Sequence, residues 1–110
     1  MNFRISISQR AKRDSREIAA WIKERSSKGA LSWLDALEES LEQLQKAAAS
    51  SGAAPEADDF DVNLRQHLFR TRRGNTYRLV FILRDDVVQV LAVRGTGQDF
   101  LQQSDIEFSD

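Results

Sequence analysis

The spacing of apolar positions changes character along this chain. Phe3, Ile5 and Ile7 alternate with Arg4, Ser6 and Ser8, the two-residue period of a short half-buried strand, and Ser8 is placed to cap whatever follows. From about Gln9 to Ser26 the period becomes helical. Ala11, Ser15, Ile18 and Ile22, with Trp21 beside them, form a stripe, while Lys12, Arg13, Arg16 and Lys23 fall on other faces. Ser26, Ser27, Lys28 and Gly29 break the pattern, with Gly29 the expected helix terminator. Ala30, Leu34, Leu37, Leu41, Leu44 and Ala48 then recur at alternating steps of four and three, which predicts a second amphipathic helix with Trp33 next to its stripe. Two helices joined by so short a connection form a hairpin.

Residues 49–61 carry the single proline and a cluster of acids, and they read as a loop, a candidate for mobility because of its length. Three strands follow. About Asn63 to Thr71, Leu64, Gln66, Leu68 and Arg70 alternate with Arg65, His67, Phe69 and Thr71. Arg73, Gly74 and Asn75 signal a tight turn. Thr76 to Arg84 sets Tyr77, Leu79, Phe81 and Leu83 against Arg78, Val80, Ile82 and Arg84. Apolar on both faces in its middle, it is expected to be central in the sheet. Asp85 and Asp86 turn the chain into Val87 to Arg94, and the same alternation puts Arg94 on the face of Val88, Val90 and Ala92. The order strand, helix, helix, strand, strand, strand predicts an α+β fold: an antiparallel sheet with a helical hairpin packed on one face, the other face open, and the first strand added at an edge.

At 110 residues this is a single domain, 1–110, with room for one core. The absence of cysteine excludes disulfides and thiolate metal sites and suits a cytoplasmic location. No apolar run near the start resembles a signal peptide, and none approaches the roughly 20 residues of a membrane span. A net charge of −1 points to no partner, but its distribution is uneven. Residues 1–28 carry +5, 29–63 carry −7, 64–95 carry +5, and 96–110 carry −4. A basic first helix and basic strands would face something anionic.

The candidate chemistry is the set Arg65, Arg70, Arg72, Arg73, Arg78, Arg84 and Arg94, with the lone histidine, His67. A guanidinium fork suits phosphate or carboxylate and keeps its charge. On one sheet face, such groups would hold a nucleic-acid backbone or acidic side chains, and would stabilise charge developing on a phosphate during cleavage. His67 would transfer a proton near neutral pH. Arg78 is the hardest to dismiss, because a central strand seldom carries an unpaired charge. One histidine excludes a multi-histidine metal site, Glu38, Glu39 and Glu42 read as a solvated helix face, and no nucleotide-binding glycine motif is present; no metal or cofactor is expected.

FRISIS leading into AKRDSREIAAWI, then ALSWLDALEESLEQL, NLRQHLFRTRRGNTYRLVFIL and DDVVQVLAVRGTGQDFL form an ordered set. Across nearly the whole chain it resembles the RelE/ParE superfamily of type II toxin–antitoxin toxins, and the ParE type in particular. The resemblance implies a small toxin held inactive by a cognate antitoxin in a hetero-oligomer, with either DNA gyrase or ribosome-bound messenger RNA as target. In the RNA-cleaving branch the positions of Arg78 and Arg94 carry charge-stabilising arginines; for this chain that mechanism would use Arg65, Arg78 and Arg94 with His67. Residues 95–99 hold neither the tyrosine nor the histidine that assists such cleavage, so the resemblance favours a gyrase-directed toxin that is not itself an enzyme. Arg70, Arg72, Arg73 and Arg84 are then contacts for nucleic acid or an acidic partner. The antitoxin would lie over the arginines as an acidic segment, or pack a helix near Trp21 and Trp33. A third reading is a non-toxic nucleic-acid-binding or interaction domain of the same fold.

Overall fold

The computed structural model describes residues 2–71, 74–98 and 100–106. Strand β1 (Arg4–Ile7) leads into helices α1 (Gln9–Lys23) and α2 (Ser27–Ala47), and strands β2 (Arg65–Arg70), β3 (Thr76–Arg84) and β4 (Val87–Gly95) follow. The sheet order is β1-β4-β3-β2. The last three strands form the expected antiparallel meander; β1 joins the edge beside β4 in parallel, with Ile5 opposite Val88 and Ile7 opposite Val90.

Ser8 is the joint between sheet and helix. Its Oγ accepts from the Ala11 N–H at 3.0 Å, capping α1, and donates to the Leu91 carbonyl at 3.0 Å. Six residues on, Asp14 Oδ2 accepts the Val93 N–H at 3.0 Å. α1 thus takes over the edge of β4 where β1 ends, leaving fewer unpaired ladder groups there. Gly29 does not terminate α1. Ser26 caps α2 by accepting the Gly29 N–H at 2.9 Å, so the glycine lies in the first turn of the second helix.

Trp33, not the predicted Leu34, is seated in the core: it is 1% exposed, whereas Leu34 is exposed. Its ring meets Tyr77 edge-on at 5.5 Å and Phe69 at 5.9 Å. Leu44, Leu79, Phe81, Val88 and Val90 complete the core between hairpin and sheet.

The other face of the sheet is not open. Residues 52–64 and 100–106 cover it, and Ala54, Phe60, Leu64, Leu101 and Ile106 pack on Val80, Ile82, Leu91 and Ala92. The segment expected to be a mobile loop is therefore a second layer. It starts as a strand mate on the outer edge of β2, with the Gln66 N–H donating to the Gly52 carbonyl and the Ala54 N–H to that of Leu64, at 3.0 and 2.9 Å. It then closes in a short 3₁₀ turn, Ala57–Asp59. β3 and β4 are apolar on both faces, and such strands need cover on both.

Alternation along β4 is interrupted. Val80 pairs with Ala92 but Phe81 pairs with Val90, so Leu91 is an extra residue, a β-bulge. Val88 and Val90 face the helices, Leu91 and Ala92 face the second layer, and Val93 faces the helices again. Arg94 therefore lies on the face opposite Val88 and Val90, not with them.

Candidate functional site

Arg78 sits in the middle of the sheet and is 4% exposed. Its charge is met end-on by Glu56 from the second layer: Nη1 donates to Oε1 and Nη2 to Oε2, both at 2.6 Å. Gln66 Oε1 on the neighbouring strand accepts a third bond from Nη1 at 3.3 Å. Glu56 Oε2 also accepts the Leu101 N–H at 2.8 Å. Burial alone pushes the Glu56 carboxyl up. The Arg78 bonds, the Leu101 N–H and the guanidinium charge outweigh it and hold the group at about 2, against an ordinary 4.5. The hydropathy pattern does not single out Glu56. The only signal toward it is Arg78 itself, a charge on a central strand that requires a partner, with acids near at hand in residues 56–61.

The other sequence-derived candidates do not gather around Arg78. Arg94 stands directly across from it in the β3–β4 register and shares its face. Arg65 and His67 share the alternate face of β2 with Phe69, on the side of the helices. Arg65 Nη1 donates to the carbonyls of Ala49 and Ser51, each at 3.0 Å, tying down the chain after α2. His67 Nε2 lies 3.1 Å from Gln43 Oε1 on α2, and burial pushes the imidazole below its ordinary value. The four residues expected to cooperate in cleavage are thus split between two faces of the sheet. Arg70 and Arg84 are exposed at strand ends. Arg72 and Arg73 lie outside the described residues.

On the helix side, the linked end of the hairpin overhangs the β2–β3 turn and the end of β4. Two clefts of about 710 and 770 Å³ meet there and share Trp21, Asn75 and Tyr77. Trp21 is 53% exposed and forms the wall, with the Arg25 guanidinium carbon 3.7 Å from its ring centroid. Trp33 and Tyr77 lie deeper, and Lys28 is on the rim. The aromatic wall suits an apolar side chain of a protein partner; the charged groups at its edge are mixed, with Glu17 lining the first cleft, Lys28 the second and Arg25 over Trp21. Both tryptophans line this cleft, Trp21 as surface and Trp33 as core. Among the described residues no cluster of acidic, histidine or cysteine side chains has the makings of a metal site, and no helix is long and apolar enough to cross a membrane.

A family model described as "ParE toxin of type II toxin-antitoxin system, parDE" matches residues 5–100. A solved chain from the chromosomal ParDE toxin–antitoxin system of P. aeruginosa is similar in fold, with a TM-score of 0.62 at 17% identity, covering 84% of this chain and 95% of that one. No curated protein sequence matches.

Proposed function

Because the chain belongs to the ParE toxin family of type II toxin–antitoxin systems, we propose that it arrests growth by inhibiting DNA gyrase in the cytoplasm and is neutralised by a cognate antitoxin bound at the Trp21 cleft. The match over residues 5–100 carries this reading. The condition of Arg78 supports the choice of target. A guanidinium closed in by Glu56 is not offered to a phosphate, and Arg65 and His67 are on the far side of the sheet. Both observations weigh against the alternative of ribosome-dependent messenger cleavage.

For the antitoxin, the cleft favours the packed helix over an acidic segment laid on the strand arginines: an amphipathic helix that lays apolar side chains against Trp21 and acidic ones over Arg25 and Lys28. Induction of the chain without antitoxin, followed by a supercoiling assay with purified gyrase, tests the target. Growth arrest with loss of supercoiling activity is expected. Arrest with new message ends in primer extension and unimpaired supercoiling would return the assignment to the nuclease, and no arrest would remove both toxin readings.

A further inference from the structure

We propose that Arg78, Gln66 and the Leu101 N–H form a carboxylate-binding site in the sheet, filled in cis by Glu56, and that this occupancy locks the two segments of the second layer to the sheet as one unit.

The geometry is that of a ligand site. Arg78 presents both terminal nitrogens to the two carboxylate oxygens, a third donor comes from the backbone of Leu101, and the Gln66 amide oxygen fixes the guanidinium from the side. Arg78 is anchored on an interior strand and Gln66 on its neighbour, so those two groups of the receptor belong to the sheet. The carboxylate belongs to a segment that has only one short 3₁₀ turn of regular structure, Ala57–Asp59. A single carboxylate thereby joins three parts of the chain: the sheet, residues 52–64, and the segment beginning at Leu101. A second polar link joins the two covering segments directly, Gln103 Nε2 donating to the Asp59 carbonyl at 2.6 Å. Apolar contacts of Phe60, Leu64, Leu101 and Ile106 fill the rest of the layer. Arg10 on α1 holds the Asp105 carbonyl at 2.6 Å from outside the layer. Apart from Arg10, whose guanidinium also lies 3.7 Å from the Asp105 carboxylate, the helix side contributes none of these groups, its core being built from Trp33, Leu44, Phe69 and Tyr77. The second layer is an opening unit tethered to α1 through Arg10 and Asp105, and its two segments share one carboxylate fastener, Glu56. This inference is independent of the gyrase reading, because it concerns how the sheet is covered and not what the toxin acts on.

Two experiments on the full purified chain test it. In Glu56→Gln the shape is kept and the charge is lost. Amide exchange is expected to quicken at least tenfold in both 52–66 and 101–106, together, and by a larger factor than in α1 and α2. Exchange that is unaltered, or altered in only one of the two segments, would overturn the common lock. In Glu56→Ala the site is emptied but its receptor remains. Acetate at 0.2 M is expected to raise the melting temperature above that in 0.2 M chloride, with no such difference in the parent chain. Equal melting in the two salts would overturn the carboxylate site. Should that variant fail to fold in either salt, the site stands or falls on Glu56→Asp, whose shortened carboxylate is expected to quicken exchange in the same two segments less than Glu56→Gln does; an equal or larger effect would overturn it.

Discussion

Arg78 and Arg94 face each other directly across β3 and β4, and the bulge at Leu91 is what puts them there. With unbroken alternation Arg94 would share the helix face with Val88 and Val90. The extra residue carries it to the second layer, opposite Arg78. Two like charges in cross-strand register repel. The arrangement is tolerated because carboxylates are nearby: Glu56 closes on Arg78, and the Asp105 carboxyl is held below its ordinary value by the Gln102 N–H first and by the charges of Arg10 and Arg94 in addition.

Removing one member of the Glu56–Arg78 pair strands the other as a buried charge. Arg78→Met and Glu56→Leu are each expected to cost about 3–5 kcal/mol, whereas the two combined cost much less than their sum. Urea denaturation of the single and double variants checks this. Additive losses would show that the two side chains do not act as a pair. A loss of toxicity in Arg78→Met is accordingly read only beside its stability.

The same pair sets an acid limit. Above pH 4.5 Glu56 is ionised in the folded and the unfolded chain, and its contribution is whole. As pH falls from 4.5 toward 2, the unfolded chain takes up a proton that the folded chain refuses. Stability drops across that window by on the order of 3 kcal/mol. Denaturation midpoints measured from pH 6 to 2 are expected to fall less steeply in Glu56→Gln. An identical slope in that variant would place the acid sensitivity elsewhere.

The element order, the hairpin, the Ser8 cap and the meander were legible because each rests on local period or local capping. The second layer was legible only in part. Val80 and Ile82 opposite Leu79 and Phe81 already require cover on both faces, but Ala54, Phe60 and Leu64 recur at no regular spacing that would identify the cover. Arg78 announced that it needed a partner, and nothing in the pattern distinguished Glu56 from Asp58, Asp59 or Asp61. The placement of Arg94 is not legible for a different reason: a bulge leaves no mark in a run such as VVQVLAVR, where Val90, Leu91, Ala92 and Val93 are each apolar enough for either face.

Trp21 and Trp33 line the same cleft, yet their substitutions are expected to separate. Trp33 is buried against Phe69 and Tyr77, so Trp33→Ala costs about 3–5 kcal/mol of stability. Trp21 is largely in solvent, so Trp21→Ala changes stability by no more than about 0.5 kcal/mol but weakens antitoxin binding by about 2 kcal/mol, near thirtyfold. Calorimetric titration with the antitoxin, paired with thermal melts, checks both. Unchanged affinity in a folded Trp21→Ala chain would move the antitoxin to another surface.

His67 provides the sharpest division between the two toxin readings. Burial beside α2 holds its imidazole below the ordinary 6.5, so it is neutral at pH 7. Below pH 6.5 the unfolded chain is protonated first, and His67 then subtracts from stability instead of adding to it. Its contact is Gln43, and Arg78 is on the opposite face of the sheet. A neutral group so placed is badly positioned to protonate a leaving group at the Arg78–Arg94 face. His67→Gln keeps a polar side chain within reach of α2 and is expected to leave growth arrest intact. It also removes the part of the stability decline below pH 6.5 that His67 contributes. If the variant folds and melts like the parent but no longer arrests growth, His67 does chemistry, and the nuclease reading replaces the gyrase one.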